Sequence, residues 1–166
     1  MKKLLIAYYS WSNGNTERIA RMLQKEVGGD LVKIDTAVPY EGSYDEVVSQ
    51  GQAEVNRGYE PEIKKVDVDL SDYEAIAIGT PTWWYTMAPA MLTFLHEQDF
   101  TGKTVIPFMT NGGWPGHVIE DIKKACKGAK AVCEMEIQFD STEGSELVTS
   151  QKEIDQWIQN VKETLA

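Results

Sequence analysis

The chain has 166 residues and a formal net charge of −10, with 42% hydrophobic and 25% charged residues. That composition excludes a disordered chain, and the acidic balance excludes nucleic acid or an anionic membrane as partner, since both need clustered Lys and Arg. An anionic ligand therefore has to be captured by local geometry rather than by overall charge.

Two lysines precede the apolar run Leu4–Tyr9. The run is too short for a secretory signal, no small-residue cleavage site follows, and no segment approaches the roughly 18 apolar residues of a membrane helix. The expectation is a soluble, cytoplasmic protein. Cys126 and Cys133 lack metal-ligand or CxxC spacing, so they read as reduced, mostly buried thiols.

Residues Lys3–Tyr9 suit a buried strand. Thr16, Ile19, Ala20, Leu23 and Val27 then mark one face of a helix that Gly28-Gly29 stops. Asp30–Ile34 is a short second strand. Tyr44, Val47, Val48, Gly51 and Val55 have helical spacing within an otherwise polar stretch, and Asp67–Leu70 reads as a surface connection. Ala75–Gly79 is a third strand, followed by a helix over Ala88, Met91, Leu92 and Leu95 with Pro89 in its first turn. Thr104–Met109 is a fourth strand, where Pro107 lacks a ladder donor and predicts a bulge or strand end. A helix over Val118–Cys126, a fifth strand over Ala131–Phe139, a polar loop at Asp140–Glu146 and a closing helix over Ile154–Leu165 complete the chain.

Alternating strands and helices without linker or repeat predict one α/β domain over residues 1–166, a parallel sheet with helices on both faces. Ligands of such sheets sit outside the carboxyl ends of the strands, where strand order reverses. Three loops therefore matter. After strand one comes Ser10-Trp11-Ser12-Asn13-Gly14-Asn15-Thr16, running into a helix. A helix N-terminus with hydroxyl and amide side chains offers a phosphate many neutral donors, and no Lys or Arg is present in the loop. Neither a Gly-Lys-Ser/Thr phosphate loop nor a GxGxxG fingerprint occurs. After strand three comes Gly79-Thr80-Pro81-Thr82-Trp83-Trp84-Tyr85-Thr86, whose aromatics suit stacking on a flat heterocycle. After strand four, Thr110-Asn111-Gly112-Gly113-Trp114 permits close backbone approach, with Trp114 a further wall. Phosphate cradle, aromatic plate and Gly-rich clamp together match flavin mononucleotide (FMN).

These segments, with Asp99–Lys103 leading into the fourth strand, resemble the flavodoxin family, and in particular its small members with a double-Trp flavin loop. The resemblance covers nearly the whole chain. It implies a three-layer α-β-α fold with a five-stranded parallel sheet in order 2-1-3-4-5. It also implies FMN-phosphate contacts from Ser10, Ser12, Asn13, Gly14, Asn15 and Thr16. The isoalloxazine ring would be held by Pro81, Thr82, Trp83, Trp84, Tyr85, Thr110, Asn111, Gly112 and Gly113, with Trp83 or Trp84 stacked on it. Asn13 stands where many family members have Thr, and the loop is one residue longer than their common form. No side chain is assigned as a catalytic acid or base, because the flavin carries the redox chemistry.

The expected function is low-potential electron transfer between redox protein partners, a reductase and an acceptor, by a monomer or homodimer. An NAD(P)H-dependent FMN or quinone oxidoreductase on the same fold is the alternative. A two-component receiver domain is disfavoured because strand one ends in Tyr8-Tyr9-Ser10 and strand three in Gly79-Thr80, where acidic residues would be needed. His96 and His117 read as surface or capping residues.

Overall fold

A computed structural model describes residues 2–166; Met1 lies outside the described residues, and with it the start of the Met1-Lys2-Lys3 segment. The strands are β1 (Leu4–Tyr8), β2 (Asp30–Lys33), β3 (Ala75–Trp83), β4 (Thr86–Met87), β5 (Thr104–Asn111), β6 (Lys130–Ala131) and β7 (Met135–Gln138). The helices are α1 (Asn15–Val27), α2 (Tyr44–Asn56), α3 (Pro89–Glu97), α4 (Val118–Ala125) and α5 (Gln151–Leu165). The sheet runs β2-β1-β3-β5, with β6 and β7 both beside β5. All these pairings are parallel. The five positions follow the order 2-1-3-4-5.

Alternation along β1 shows why the fold has three layers. Leu5, Ala7 and Tyr9 join a core with residues of α2, α3 and α4, among them Val47, Met91, Phe94 and Ile122. Leu4, Ile6 and Tyr8 join a second core with Ile19 and Leu23 of α1 and Ile154, Trp157 and Val161 of α5. Successive strand residues face opposite sides, so a strand apolar at every position needs cover on both. The polar stretch before β3 forms α2 because Ser43 caps it, accepting from the Glu46 N–H at 3.2 Å. No helix among the described residues is long and apolar enough to cross a membrane.

Three sequence expectations need correction. First, β3 does not stop at Gly79. Thr80 and Pro81 continue the ladder opposite Met109 and Thr110, and Thr82 and Trp83 pair with β4 in a hairpin. Its two-residue turn is Trp84-Tyr85, both at positive φ (49° and 71°). Such a turn usually carries Asn-Gly or Asp-Gly, so no turn signal marked it. Second, Pro107 causes neither bulge nor end; it pairs with Ile78 in mid-strand. Val105 and Asn111 accept from Val132 and Phe139 on the far edge, and the two-residue period turns Pro107 to that same edge. Third, the fifth strand is broken there: β6 pairs with Thr104 and Val105, β7 with Phe108–Asn111, and Cys133 between them has φ 52°. The missing proline donor thus faces a gap in its neighbour. Cys126 is buried as expected, and burial pushes its thiol up to about 12, whereas Cys133 is only half-buried.

Candidate cofactor site

The carboxyl ends of β1, β3 and β5 open into a cavity of about 720 Å³, within the usual range of small-molecule sites. Each wall follows from a local cause. Gly14 enters α1 in the left-handed region (φ 72°) and offers no side-chain cap. Ser10 supplies one capping contact instead, its hydroxyl accepting from the Glu17 N–H at 3.2 Å. The first turn therefore presents N–H groups at the positive end of the helix dipole, and the carboxylate of Glu17 in that turn accepts from the Tyr8 hydroxyl at 2.8 Å. Thr16 and Thr110, both buried, share a hydrogen bond of 2.8 Å and join the first loop to β5.

The aromatic wall divides into fixed and exposed parts. Trp83 is 9% exposed and lies against Tyr9, Trp11 and Tyr40, with ring centroids 5.8, 5.7 and 5.1 Å away. Its ring rests on α2 at Gly51, where an added Cβ would stand 3.0 Å from it. Beneath it, the buried Glu54 accepts from the Tyr40 hydroxyl at 2.7 Å and from the Gln50 amide at 2.8 Å. Burial, and then this carboxylate, push the Tyr40 phenol up, so it stays a donor. Trp84 and Tyr85 at the hairpin tip are exposed, and Trp84 donates its indole N–H to the Val48 carbonyl at 2.9 Å. The tip is braced from behind, where the His117 N–H donates to the Tyr85 carbonyl at 2.8 Å. His117 also pairs with Asp121, to which the Thr86 hydroxyl donates at 2.5 Å. His96 is an exposed partner of Glu60. Ser12, Trp84 and Tyr85 are three of the four non-glycine residues at positive φ among those described, and all three line the cavity. Such conformations cost of order 1–3 kcal/mol each and concentrate at functional sites.

Most of the expected site residues meet here. Ser12, Asn13, Asn15 and Thr16 line the cavity on one side, Pro81, Thr82, Trp83, Trp84 and Tyr85 on another, and Thr110, Asn111 and Gly112 between them. Ser10, Gly14 and Gly113 do not line it. Ser10 and Gly14 shape the helix entry, and the Gly113 N–H donates to the Asn111 side chain at 2.8 Å. The Asn13 and Asn15 amides are turned to carbonyls of the loop after β7.

Sequence reasoning left Trp11, Tyr44, Val47, Val48, Gly51, Phe139 and Asp140–Gly144 unassigned, and all of them line the cavity. Trp11 and Tyr44 stack at 5.6 Å and 20°. A glycine inside α2 and a hydroxyl-rich run at the carboxyl end of the fifth strand were the available signs. Among the described residues, no Lys, Arg or His lines the cavity.

Fold and site together define a doubly wound α/β protein with a cleft at its topological switch point, lined by hydroxyl and amide side chains and by aromatic rings. The family model described as Flavodoxin matches residues 3–161. A flavodoxin of Haemophilus influenzae is 29% identical over 102 residues, 59% of this chain and 44% of that protein. An NAD(P)H dehydrogenase (quinone) 3 of Rhizobium meliloti is 33% identical over 128 residues, 70% of this chain and 56% of that protein. The chain thus spans about half the length of these curated relatives. A solved protein of Bacteroides eggerthii superposes with a TM-score of 0.76 at 29% identity, covering 97% of this chain and 98% of that one. A Lactobacillus acidophilus flavoprotein solved in complex with FMN gives 0.72 at 21% identity over 95% and 99%, a likeness of fold. The chain belongs to the flavodoxin family.

Proposed function

We propose that the cavity holds FMN without covalent attachment and that the chain, read as one flavodoxin-like domain, carries electrons between redox proteins of the cytosol. The observation that carries this reading is the donor set of one cavity: hydroxyls and first-turn N–H groups at the start of α1, facing across to Trp83 and Trp84, with no cation among the lining residues. A phosphate monoester and a flat ring fit those two ends. Family membership and the FMN complex of the Lactobacillus acidophilus flavoprotein support the same ligand.

FMN, when bound, supplies the electron chemistry. The chain's residues bind and orient it. Trp83, packed on three aromatics and on α2, is a wall that cannot rotate away. Trp84, tied to Val48, is set beside it at the mouth and excludes water. Thr16 and Thr110 hold the phosphate end to the sheet. Apolar walls and a net charge of −10 disfavour any gain of negative charge in the cavity, which lowers the potential at which an electron is accepted. The same charge steers basic redox partners and keeps encounters transient. Two free thiols accord with a reducing compartment.

The test is an absorption spectrum of the purified protein before and after anaerobic NADPH. Bound flavin that stays oxidised with NADPH, yet is reduced by dithionite, supports a carrier that depends on a reductase. The likeness to the Rhizobium meliloti enzyme favours the second reading, direct NAD(P)H-dependent reduction, which rapid bleaching by NADPH would select. A colourless protein that takes up no added FMN would overturn both.

A further inference from the structure

The segment after β7 is polar and exposed, yet it has a defined shape. The Asp140 carboxylate accepts from the N–H groups of Thr142, Glu143 and Gly144 at 3.2, 2.8 and 3.1 Å through one oxygen. It accepts from Glu146 at 2.7 Å through the other. The Asp140 N–H closes the turn on the Glu146 carbonyl at 2.8 Å. Those N–H groups hold the Asp140 carboxyl down at about 2.

This turn is bound to the first loop. Asn13 donates its amide to the Glu143 carbonyl at 2.9 Å and Asn15 to the Gly144 carbonyl at 2.5 Å. Arg18 donates to the Ser145 carbonyl at 3.3 Å. Gly144, at φ +86°, fits under the Asn13 amide because a Cβ there would meet its nitrogen. Each amide that could serve an anion is thus turned to a protein carbonyl instead. Ser141 and Thr142, two exposed hydroxyl residues of the turn, border the cavity on this side. Trp83 and Trp84 lie against α2, at Gly51 and Val48, whereas Trp114 comes close to Ser141 over Gly112.

Resting on the reading of the cavity as an FMN site, we propose that Asp140–Glu146 is a strap that completes its phosphate end. Asn13 and Asn15 are positioning residues that hold the strap, and Ser141 and Thr142 supply hydroxyl donors to the phosphate. Strap and phosphate then order each other: the ligand gains donors only while the amide contacts hold the turn in place.

The experiment compares FMN with riboflavin, which has the ring and the ribityl chain but no phosphate, by fluorescence titration. It also follows amide hydrogen exchange at residues 142–146. The Ser141→Ala/Thr142→Ala variant, altered only at exposed positions, is expected to weaken FMN about tenfold and riboflavin less than about twofold. The Asn13→Ala/Asn15→Ala variant should weaken FMN and also speed exchange at 142–146 without ligand, and FMN should slow exchange there in the unaltered protein. Unchanged FMN affinity in the Ser141/Thr142 variant would overturn the proposal. So would a loss of FMN affinity in the Asn13/Asn15 variant with exchange at 142–146 unmoved, which would make the two amides direct ligands. Failure of the unaltered protein to bind either flavin would overturn the FMN reading itself, and the strap's role with it.

Discussion

Gly116→Ala tests how the hairpin tip is held. Gly116 has φ +57°, and a Cβ built on it falls onto the carbonyl oxygen, Cα and carbonyl carbon of Tyr85. The left-handed conformation costs Ala about 1 kcal/mol. Relieving a clash with backbone, which cannot swing aside like a side-chain end, costs about 2 kcal/mol more. The shift also breaks the 2.8 Å hydrogen bond from the His117 N–H to the Tyr85 carbonyl, worth about 1 kcal/mol. Together these predict a loss of about 4 kcal/mol and, at about 2–4 °C per kcal/mol for a chain of this size, a Tm lower by about 10 °C. Gly14→Ala is the control, because Gly14 has φ +72° but nothing within 4 Å of its Cβ. It should lose only the conformational part, about 1 kcal/mol. Thermal unfolding by circular dichroism gives both values. Displacing Trp84 and Tyr85 should also weaken FMN about fivefold in Gly116→Ala, the worth of one aromatic contact. Equal Tm shifts in the two variants would refute the close approach of residue 116 to the hairpin.

Other outcomes follow from the same geometry. Trp83→Ala removes a buried ring packed on three aromatics and should cost about 3–5 kcal/mol of stability. Trp84→Ala loses chiefly one hydrogen bond, about 1 kcal/mol, so chemical denaturation should separate the two sharply while FMN affinity falls in both. With no cation lining the cavity and a net charge of −10, FMN binding should tighten between about 20 mM and about 300 mM salt as repulsion of the phosphate is screened, while riboflavin binding stays constant. Weakening of FMN with salt would instead reveal a basic group at the phosphate. The Asp140 carboxyl is depressed in the folded state by backbone N–H groups. Its contribution is therefore present above the ordinary carboxylate range and fades as pH falls from about 4 towards 2. Protection of the amides at residues 142–146, taken relative to the intrinsic exchange rate at each pH, should fall over that window, and Asp140→Asn should show the low protection already at neutral pH.

What the sequence determined by itself is local. The apolar runs at Leu4–Tyr8 and Ala75–Ile78, the amphipathic faces of α1 and α5 and the glycine pair after α1 are written in consecutive residues. Binary pattern and backbone freedom act over one or two turns of chain. The first loop was legible for the same reason, since Ser12 to Thr16 are contiguous and lead straight into a helix. What tertiary structure decided depends on residues far apart. Trp84 and Tyr85 form a two-residue turn despite lacking turn chemistry, because pairing of β3 with β5 and bracing by His117 hold them there. The fifth strand breaks where Pro107 of its neighbour has no donor to offer, which no reading of residues 131–139 alone reveals. Asn13 and Asn15 read as anion donors from their own neighbourhood, but their amides are turned to carbonyls some 130 residues later in the chain. Sequence patterns fix which groups a segment can offer, and only the packed fold decides which of those groups are already taken.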